Sequence, residues 1–397
     1  MIERVIFPFR GAELGGSHVA TFTLAKAIQG QSSVDCVVLC AEDTLIMKEA
    51  RRLGLRTVAS GEAPTGRNNL ASDITRIGNR RRILEREAAA DGCVVHCNDV
   101  NTLRAWGLPA RLSAMGVVYH HHALNRMWWP PHLVSLGYAN AIVCVSDSTH
   151  AAMKGWRRDA TKALNPFDID TAINRKIVRE SLLEEFGWPG DALVIGWIGN
   201  FWGRKRPSFF LAVAAALAKT NPRYRFVMFG RDGDFSIADV KKQANDLGIG
   251  GVTAVPGFRQ PVEANLACLD LMLAPAPNEP FGRALVEAII LGTPVVATRG
   301  AGHSEIIGAW GGGLLAEKSA TAADVAKLCE TALAAPEGYT VKPERAAEIA
   351  AELSSEIYAD RMLGIYGKIS MPSQQRDLGA RIAPAQRPSK SETSRVA

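Results

Sequence analysis

Two series of short apolar, β-branched runs, each alternating with helical patterns, constrain this chain more than any single residue does. The first comprises Val5 to Phe9, Val34 to Cys40, Val94 to Asn98, Gly116 to His122 and Ala141 to Ser146. The second comprises Leu193 to Gly199, Tyr224 to Gly230, Val252 to Phe258, Leu271 to Pro275 and Pro294 to Thr298. That rhythm predicts an α/β protein with two Rossmann-like, doubly wound parallel sheets. At 397 residues the chain also exceeds what one core usually supports, so a cleft between two domains is expected. The expected divisions are an N-terminal domain at 1–170, a C-terminal domain at 171–352, a final helix at 353–369 returning to the first domain, and a disordered tail at 371–397. Asn165-Pro166-Phe167-Asp168 is turn-prone and supplies the linker, followed by a helix rich in Arg and Glu that ends near Gly187-Trp188-Pro189-Gly190. Phe209 to Ala218 is apolar almost all round and suits a helix packed on a sheet.

Composition excludes several classes. Hydrophobic residues at 47% and charged residues at 22% describe a globular chain. No run reaches the roughly 18 apolar residues of a membrane span, and Met1-Ile2-Glu3-Arg4 leads straight into a strand-like segment, so a cytoplasmic protein is expected. The seven cysteines are odd in number and form no C-x-x-C pair, which predicts reduced core thiols. Cys93, His96 and Cys97 lack the fourth ligand of a structural zinc site, and no metal is expected. The net charge is +6, and the part through Lys162 carries all of the excess, with 20 Lys and Arg against 14 Asp and Glu. Arg80, Arg81, Arg82 and Arg86 sit beside Ile83 and Leu84. This basic amphipathic stretch is either a solvated helix face or a surface that rests on anionic lipid or polymer. No nucleic-acid partner is expected.

The most informative segment is Ala276-Pro277-Asn278-Glu279-Pro280-Phe281-Gly282-Arg283-Ala284-Leu285-Val286-Glu287-Ala288, which follows an apolar strand and opens a helix. A helix start in that place offers unpaired N–H groups and a positive dipole end to an anion. Gly282 lets a ligand approach the backbone, while Glu279 and Glu287 can accept hydrogen bonds from sugar and ribose hydroxyls. The alternatives are a helix cap for Glu279 and a solvated surface position for Glu287. Glu287 stands in Leu-Val-Glu-Ala-Ile-Ile, however, where an uncompensated buried charge is costly, so a ligand partner is the better account. A second segment, Gly199-Asn200-Phe201-Trp202-Gly203-Arg204-Lys205-Arg206-Pro207, places three consecutive cations after a strand. It suits a pyrophosphate, the alternative being an exposed basic turn.

Together these segments resemble the retaining glycosyltransferases of family 4, with their two-domain GT-B fold, over roughly residues 1 to 368. The most specific element is the E-x7-E pattern of Glu279 and Glu287, followed by Leu291-Gly292-Thr293-Pro294-Val295-Val296-Ala297-Thr298. The resemblance implies that Glu279 contacts the donor sugar and Glu287 the ribose. It puts Lys205 on the donor diphosphate, with Arg204 beside it, and brings Phe281, Gly282 and Arg283 to the donor. Asn200, also expected at the donor, stands where the family usually has arginine. Gly15-Gly16-Ser17 resembles the family's glycine loop, bringing Gly16 to the donor phosphates, and Val117 to His122 resembles the strand end where a histidine, here His122, lies near the donor sugar. His120 and His121 are then structural, since alternate side chains of a strand face opposite ways. Gly300-Ala301-Gly302-His303-Ser304-Glu305-Ile306 resembles the late glycine loop.

The implied activity is hexosyl transfer with retention from a nucleotide-diphosphate sugar, a substrate rather than a cofactor, to a saccharide or lipid-linked saccharide. Departure of the diphosphate is assisted by Arg204, Lys205 and helix N–H groups. Alternatives are another GT-B enzyme, such as a sugar-nucleotide epimerase or phosphorylase, and a catalytically silent sugar-nucleotide binder. A dinucleotide-dependent oxidoreductase would need G-x-G-x-x-G after a strand, which Phe9 to Gly16 does not supply.

Overall fold

The computed structural model describes residues 2–63, 70–89, 92–124 and 129–370; the expected tail at 371–397 lies outside the described residues. The first sheet contains β1 (Arg4–Pro8), β2 (Asp35–Cys40), β3 (Arg56–Ala59), β4 (Cys93–Cys97), β5 (Gly116–His121), β6 (Ala141–Cys144) and β7 (Thr161–Lys162). The second contains β8 (Leu193–Ile198), β9 (Tyr224–Phe229), β10 (Thr253–Ala254), β11 (Leu271–Ala274), β12 (Val295–Thr298) and β13 (Gly313–Ala316). Strand orders are β3-β2-β1-β4-β5-β6-β7 and β10-β9-β8-β11-β12-β13, with every pair parallel. Helices cover both faces of each sheet, so central strands such as β11 are buried along their whole length and read as unbroken apolar runs. All seven cysteines are free and buried in these cores.

The four strands at sheet edges depart from the expected pattern. β3, β7 and β13 have no counterpart among the expected runs, and Val252 to Phe258 contributes only the two residues of β10. An edge strand has a neighbour on one side only and needs less apolar cover; β3 and β7 are exposed or half-buried throughout. Periodicity of burial, which betrays a central strand, is therefore weak there.

In each sheet the order reverses direction between two central strands, β1 and β4 in the first and β8 and β11 in the second. Loops leaving the carboxyl ends of such a pair part to opposite faces and leave a crevice, the usual place for a ligand in this architecture. The chain passes between the halves twice, at adjacent points. Phe167 pairs with Ser354 across a parallel bridge, and its N–H donates to Leu353 O at 2.9 Å. Beyond that crossing the helix Ser355–Ser370 packs against the helix Gly16–Gln31 and inserts Tyr358, Met362 and Tyr366 into the core around Val5 and Phe7.

Candidate active site

The second domain supplies a charged wall. After β8 the chain runs through Asn200 to a tight turn at Gly203–Lys205, and Arg206, at φ 56°, redirects it into the helix Pro207–Leu217. After β11 it runs through Glu279 to Gly282 and the helix Arg283–Ile290. Because β8 and β11 are neighbours, these loops meet. Lys205 Nζ donates to Glu279 Oε2, and Arg204 Nη1 lies 3.7 Å from the same oxygen. Arg204 is largely exposed, whereas the Glu279 side chain retains only 12% of its surface. Burial drives the Glu279 carboxyl upward, but Lys205, His303 and Arg204 together outweigh it and hold the group below the usual carboxylate range. His303 beside it is itself pushed down to about 4 by burial, with Glu279 acting against that shift. Gly282 is at φ 100°, and a Cβ there would stand 3.0 Å from His303 Cδ2. Conformation and space both demand glycine where the helix opens toward the crevice.

One turn further, the structure corrects the expectation that Glu287 has no partner in the protein. Arg283 Nη2 approaches Glu287 Oε1 at 3.4 Å while its Nη1 donates to Pro166 O at 2.9 Å, and the guanidinium covers the Phe167 ring at 4.2 Å. Burial raises the Glu287 carboxyl above its ordinary value, with Arg283 acting against it. A contact of 3.4 Å is longer than a charge-assisted hydrogen bond of about 2.8 Å, which leaves the carboxylate acceptor capacity. The Phe281 side chain is buried in the core against Phe167, so its donor contact would be through main chain. Asn200 donates from Nδ2 to Leu14 O at 3.3 Å, turning to the opposite domain.

The first domain supplies a neutral wall. Gly16 opens the helix Gly16–Gln31, and a Cβ there would lie 3.3 Å from Arg283 Cδ. His18 Nδ1 accepts from Gly15 N at 3.1 Å, and burial lowers its pKa. His122 follows β5 with its ring 4.0 Å from that of His120; burial first, then His96, His121, His18 and Arg283, hold it well below its ordinary value. His122 Nε2, both amide atoms of Asn98 and Asn165 Oδ1 are buried without a partner. His120 and His121 are occupied structurally, by Tyr358 OH at 3.3 Å and Tyr119 OH at 2.7 Å.

The walls touch at further points. Glu305 accepts from the N–H groups of Asp147 and Ser148, both at 2.7 Å, and from the Ser148 hydroxyl. Between the domains a cavity of about 320 Å³ is lined by Leu14, Asn200, Arg231 and Phe258, with the Arg231 guanidinium 3.6 Å over the Phe258 ring. Arg231, Phe258 and Asn98 carry no signal in local sequence, since each stands at a strand end or in a loop whose position only the sheet order reveals, whereas His303 lies in the late glycine segment, on the helix Ala301–Trp310. Among the described residues no group of three His, Cys, Asp or Glu is arranged to hold a metal ion.

The basic stretch is corrected in one respect. Arg80, on the helix Ile77–Arg86, is 1% exposed and pairs with Glu62 at 2.6 Å and Asp73 at 3.1 Å. Arg81, Arg82 and Arg86 remain exposed, Arg81 paired with Glu85. Among the described residues no helix is long and apolar enough to cross a membrane.

Comparison with known proteins bears on the fold and on the C-terminal segment. Residues 178–353 match the family model of glycosyl transferases group 1. A D-inositol 3-phosphate glycosyltransferase of Saccharomonospora viridis is 30% identical over 52% of this chain and 50% of its own length. The lipopolysaccharide core biosynthesis glycosyltransferase LpsE of Rhizobium meliloti is 27% identical over 44% and 48%. The chain thus spans about half the length of the curated relatives it matches. Anabaena Alr3699/HepE, solved with UDP-glucose, superposes with a TM-score of 0.76 at 18% identity, covering 92% of this chain and 99% of that one. WaaG, a glycosyltransferase involved in lipopolysaccharide biosynthesis, does so at 0.67 and 15%, covering 93% and 100%. The segment 178–353 thus resembles the glycosyl transferases group 1 family, and the two parallel-sheet domains have the GT-B fold of the solved neighbours.

Proposed function

We propose that the protein transfers a hexosyl group, with retention, from a nucleotide-diphosphate sugar to a saccharide or lipid-linked saccharide. The observation that carries this reading is the meeting of Lys205, Arg204 and Glu279 at the strand-order reversal, opposite the neutral His122. A donor diphosphate entering there finds two cations already assembled around a carboxylate. Lys205 and Arg204 take the phosphate oxygens, and Glu279, released from them, accepts from hydroxyls of the sugar. N–H groups at the start of Arg283–Ile290 face the same anion, Gly16 keeps the opposite helix start clear, and Glu287 accepts from the ribose.

As the bond between sugar and phosphate lengthens, negative charge grows on the diphosphate. Fixed cations then stabilise the transition state more than the ground state. No side chain stands as a double-displacement nucleophile in this reading. The acceptor attacks from the face the diphosphate leaves and gives its proton to a phosphate oxygen. The two cations serve in place of a divalent metal; activity abolished by a chelator and restored by magnesium or manganese would overturn that point. The cytoplasm and the anionic inner face of a membrane are the proposed surroundings, with Arg81, Arg82 and Arg86 as the contacting charges.

Support comes from the UDP-glucose complex of the HepE neighbour and the lipopolysaccharide role of LpsE. The deciding experiment is a binding screen of purified protein against UDP-glucose, UDP-galactose, UDP-N-acetylglucosamine and GDP-mannose, followed by turnover with the donor that binds. Saturable binding of one sugar nucleotide, with release of its diphosphate, is the expected result. Binding without turnover would favour a silent binder, and no binding would end the reading.

A further inference from the structure

We infer that Asn98, together with His122, forms a subsite for a hydroxyl group of the transferred sugar. The inference rests on the donor reading above and adds a residue that the E-x7-E pattern and the glycine loops do not reach. Its basis is placement. Cys97 of β4 pairs with Tyr119 of β5, so Asn98 comes level with His120 where the two strands end. Alternation puts Asn98 on the same sheet face as His96, His120 and His122. The rings of His96 and His120 lie 5.3 Å apart on that face, and those of His120 and His122 lie 4.0 Å apart.

Asn98 is 1% exposed, and neither its Oδ1 nor its Nδ2 has a hydrogen-bond partner. His122 Nε2 shares that condition. A buried amide with both functions unmet is unusual, because each loses water and gains nothing. Here the position is also rigid. Behind Asn98 runs β4; directly ahead Asp99 caps the helix Val100–Leu112, accepting from Asn101 N at 2.7 Å and Thr102 N at 2.9 Å. The backbone on both sides of Asn98 is therefore held in place.

The chemistry of the unmet groups selects the ligand. An amide offers one donor and one acceptor side, and a neutral imidazole adds a ring nitrogen. A sugar hydroxyl both donates and accepts, so it satisfies the pair. A phosphate oxygen only accepts and would leave Asn98 Oδ1 unmet, while the diphosphate has its own cations on the other wall. His122 feels the charge of Arg283, which reaches Pro166 O beside Asn165, and the Arg283 stem abuts Gly16. This site therefore adjoins the donor crevice from the side of the first domain, opposite Glu279.

The test compares each sugar nucleotide with its bare diphosphate by titration calorimetry: UDP-glucose, UDP-galactose and UDP-N-acetylglucosamine against UDP, and GDP-mannose against GDP. In Asn98→Leu, affinity for the bare diphosphate should stay within about twofold of the parent, while the affinity for the matching sugar nucleotide falls about tenfold or more. Retained diphosphate binding shows that the variant is folded. Should Asn98→Leu lose it, Asn98→Asp, of the same shape but without the donor, is read by the same ratio. Equal losses for both ligands, or none for either, overturn the subsite. A parent protein that binds no member of the panel instead removes the donor reading, and with it this inference.

Discussion

The two walls of the cleft are built in opposite ways. On the second domain Lys205, Arg204, Glu279, Arg283 and Glu287 form ion pairs that a ligand can enter by exchange. On the first domain the facing groups are His18, His122 and Asn98, with both histidines held below their ordinary pKa by burial. The difference teaches a division of labour. In the proposed reaction, charge that grows on the diphosphate is met by fixed cations, which keep their value only if the facing wall adds none of its own. The neutral wall then discriminates through hydrogen bonds.

Lys205→Ala attacks the comparison at its strongest point. The variant should lose about 10²- to 10³-fold in kcat while donor affinity changes much less, because the cation acts mainly on charge that appears as the sugar leaves. Steady-state kinetics with the bound donor, set beside calorimetry, reads both quantities. Equal losses in the two would make the charged wall a binding device only.

Neutrality of the other wall is open to acid titration. His96, whose Nδ1 meets Tyr366 OH at 2.6 Å, is pushed down to about 3 by burial. The unfolded chain protonates near 6.5 and the folded one does not, so the contribution is complete above about pH 6.5 and is lost as pH falls from there toward 3. His96→Asn should flatten this loss by about 1.4 kcal/mol per pH unit, some 3 kcal/mol between pH 6.5 and 4. Denaturant unfolding followed at pH 7, 6, 5 and 4 measures it, and parallel curves for parent and variant would refute the claim.

Smaller effects follow. Glu287→Gln should weaken donor binding by about 1–3 kcal/mol, as expected for one charge-assisted hydrogen bond; unchanged affinity would remove the ribose assignment. On the outside of the first domain, each of Arg81, Arg82 and Arg86 should add about 1 kcal/mol to binding of anionic vesicles at low salt. Co-sedimentation of the parent and the triple glutamine variant at low and high salt tests this. If the parent does not pellet at low salt, those arginines are an ordinary solvated face.

Much of this was legible beforehand. Central strands announced themselves because they are buried on both faces, and the loops after β8 and β11 hold the candidate site in contiguous residues, from Asn200 to Arg206 and from Glu279 to Glu287. The edge strands were illegible because one-sided burial leaves no apolar run. Arg80 read as one cation among four, since its partners, Glu62 and Asp73, stand 18 and 7 positions away. Glu287 read as unpaired although Arg283 lies one turn before it. The pairing belongs to the helix surface and could be seen in retrospect. Asn98 was invisible as a site because its meaning depends on β4 ending beside β5.

The double crossing at Phe167 and Ser354 bears on the order in which the molecule is made. Tyr358, Met362 and Tyr366 belong to the core that surrounds Val5 and Phe7, yet they are separated from it by the whole second domain. A ribosome that adds about 5–20 residues per second completes the second domain before the first can close over those tyrosines. The half that begins the chain is thus the last to finish folding. Until the helix Ser355–Ser370 arrives, the rings of His96 and His120 and the apolar face around them lack its cover. A released chain truncated before residue 355 would carry the second domain's core but an unfinished first one, the state in which a chaperone would meet it.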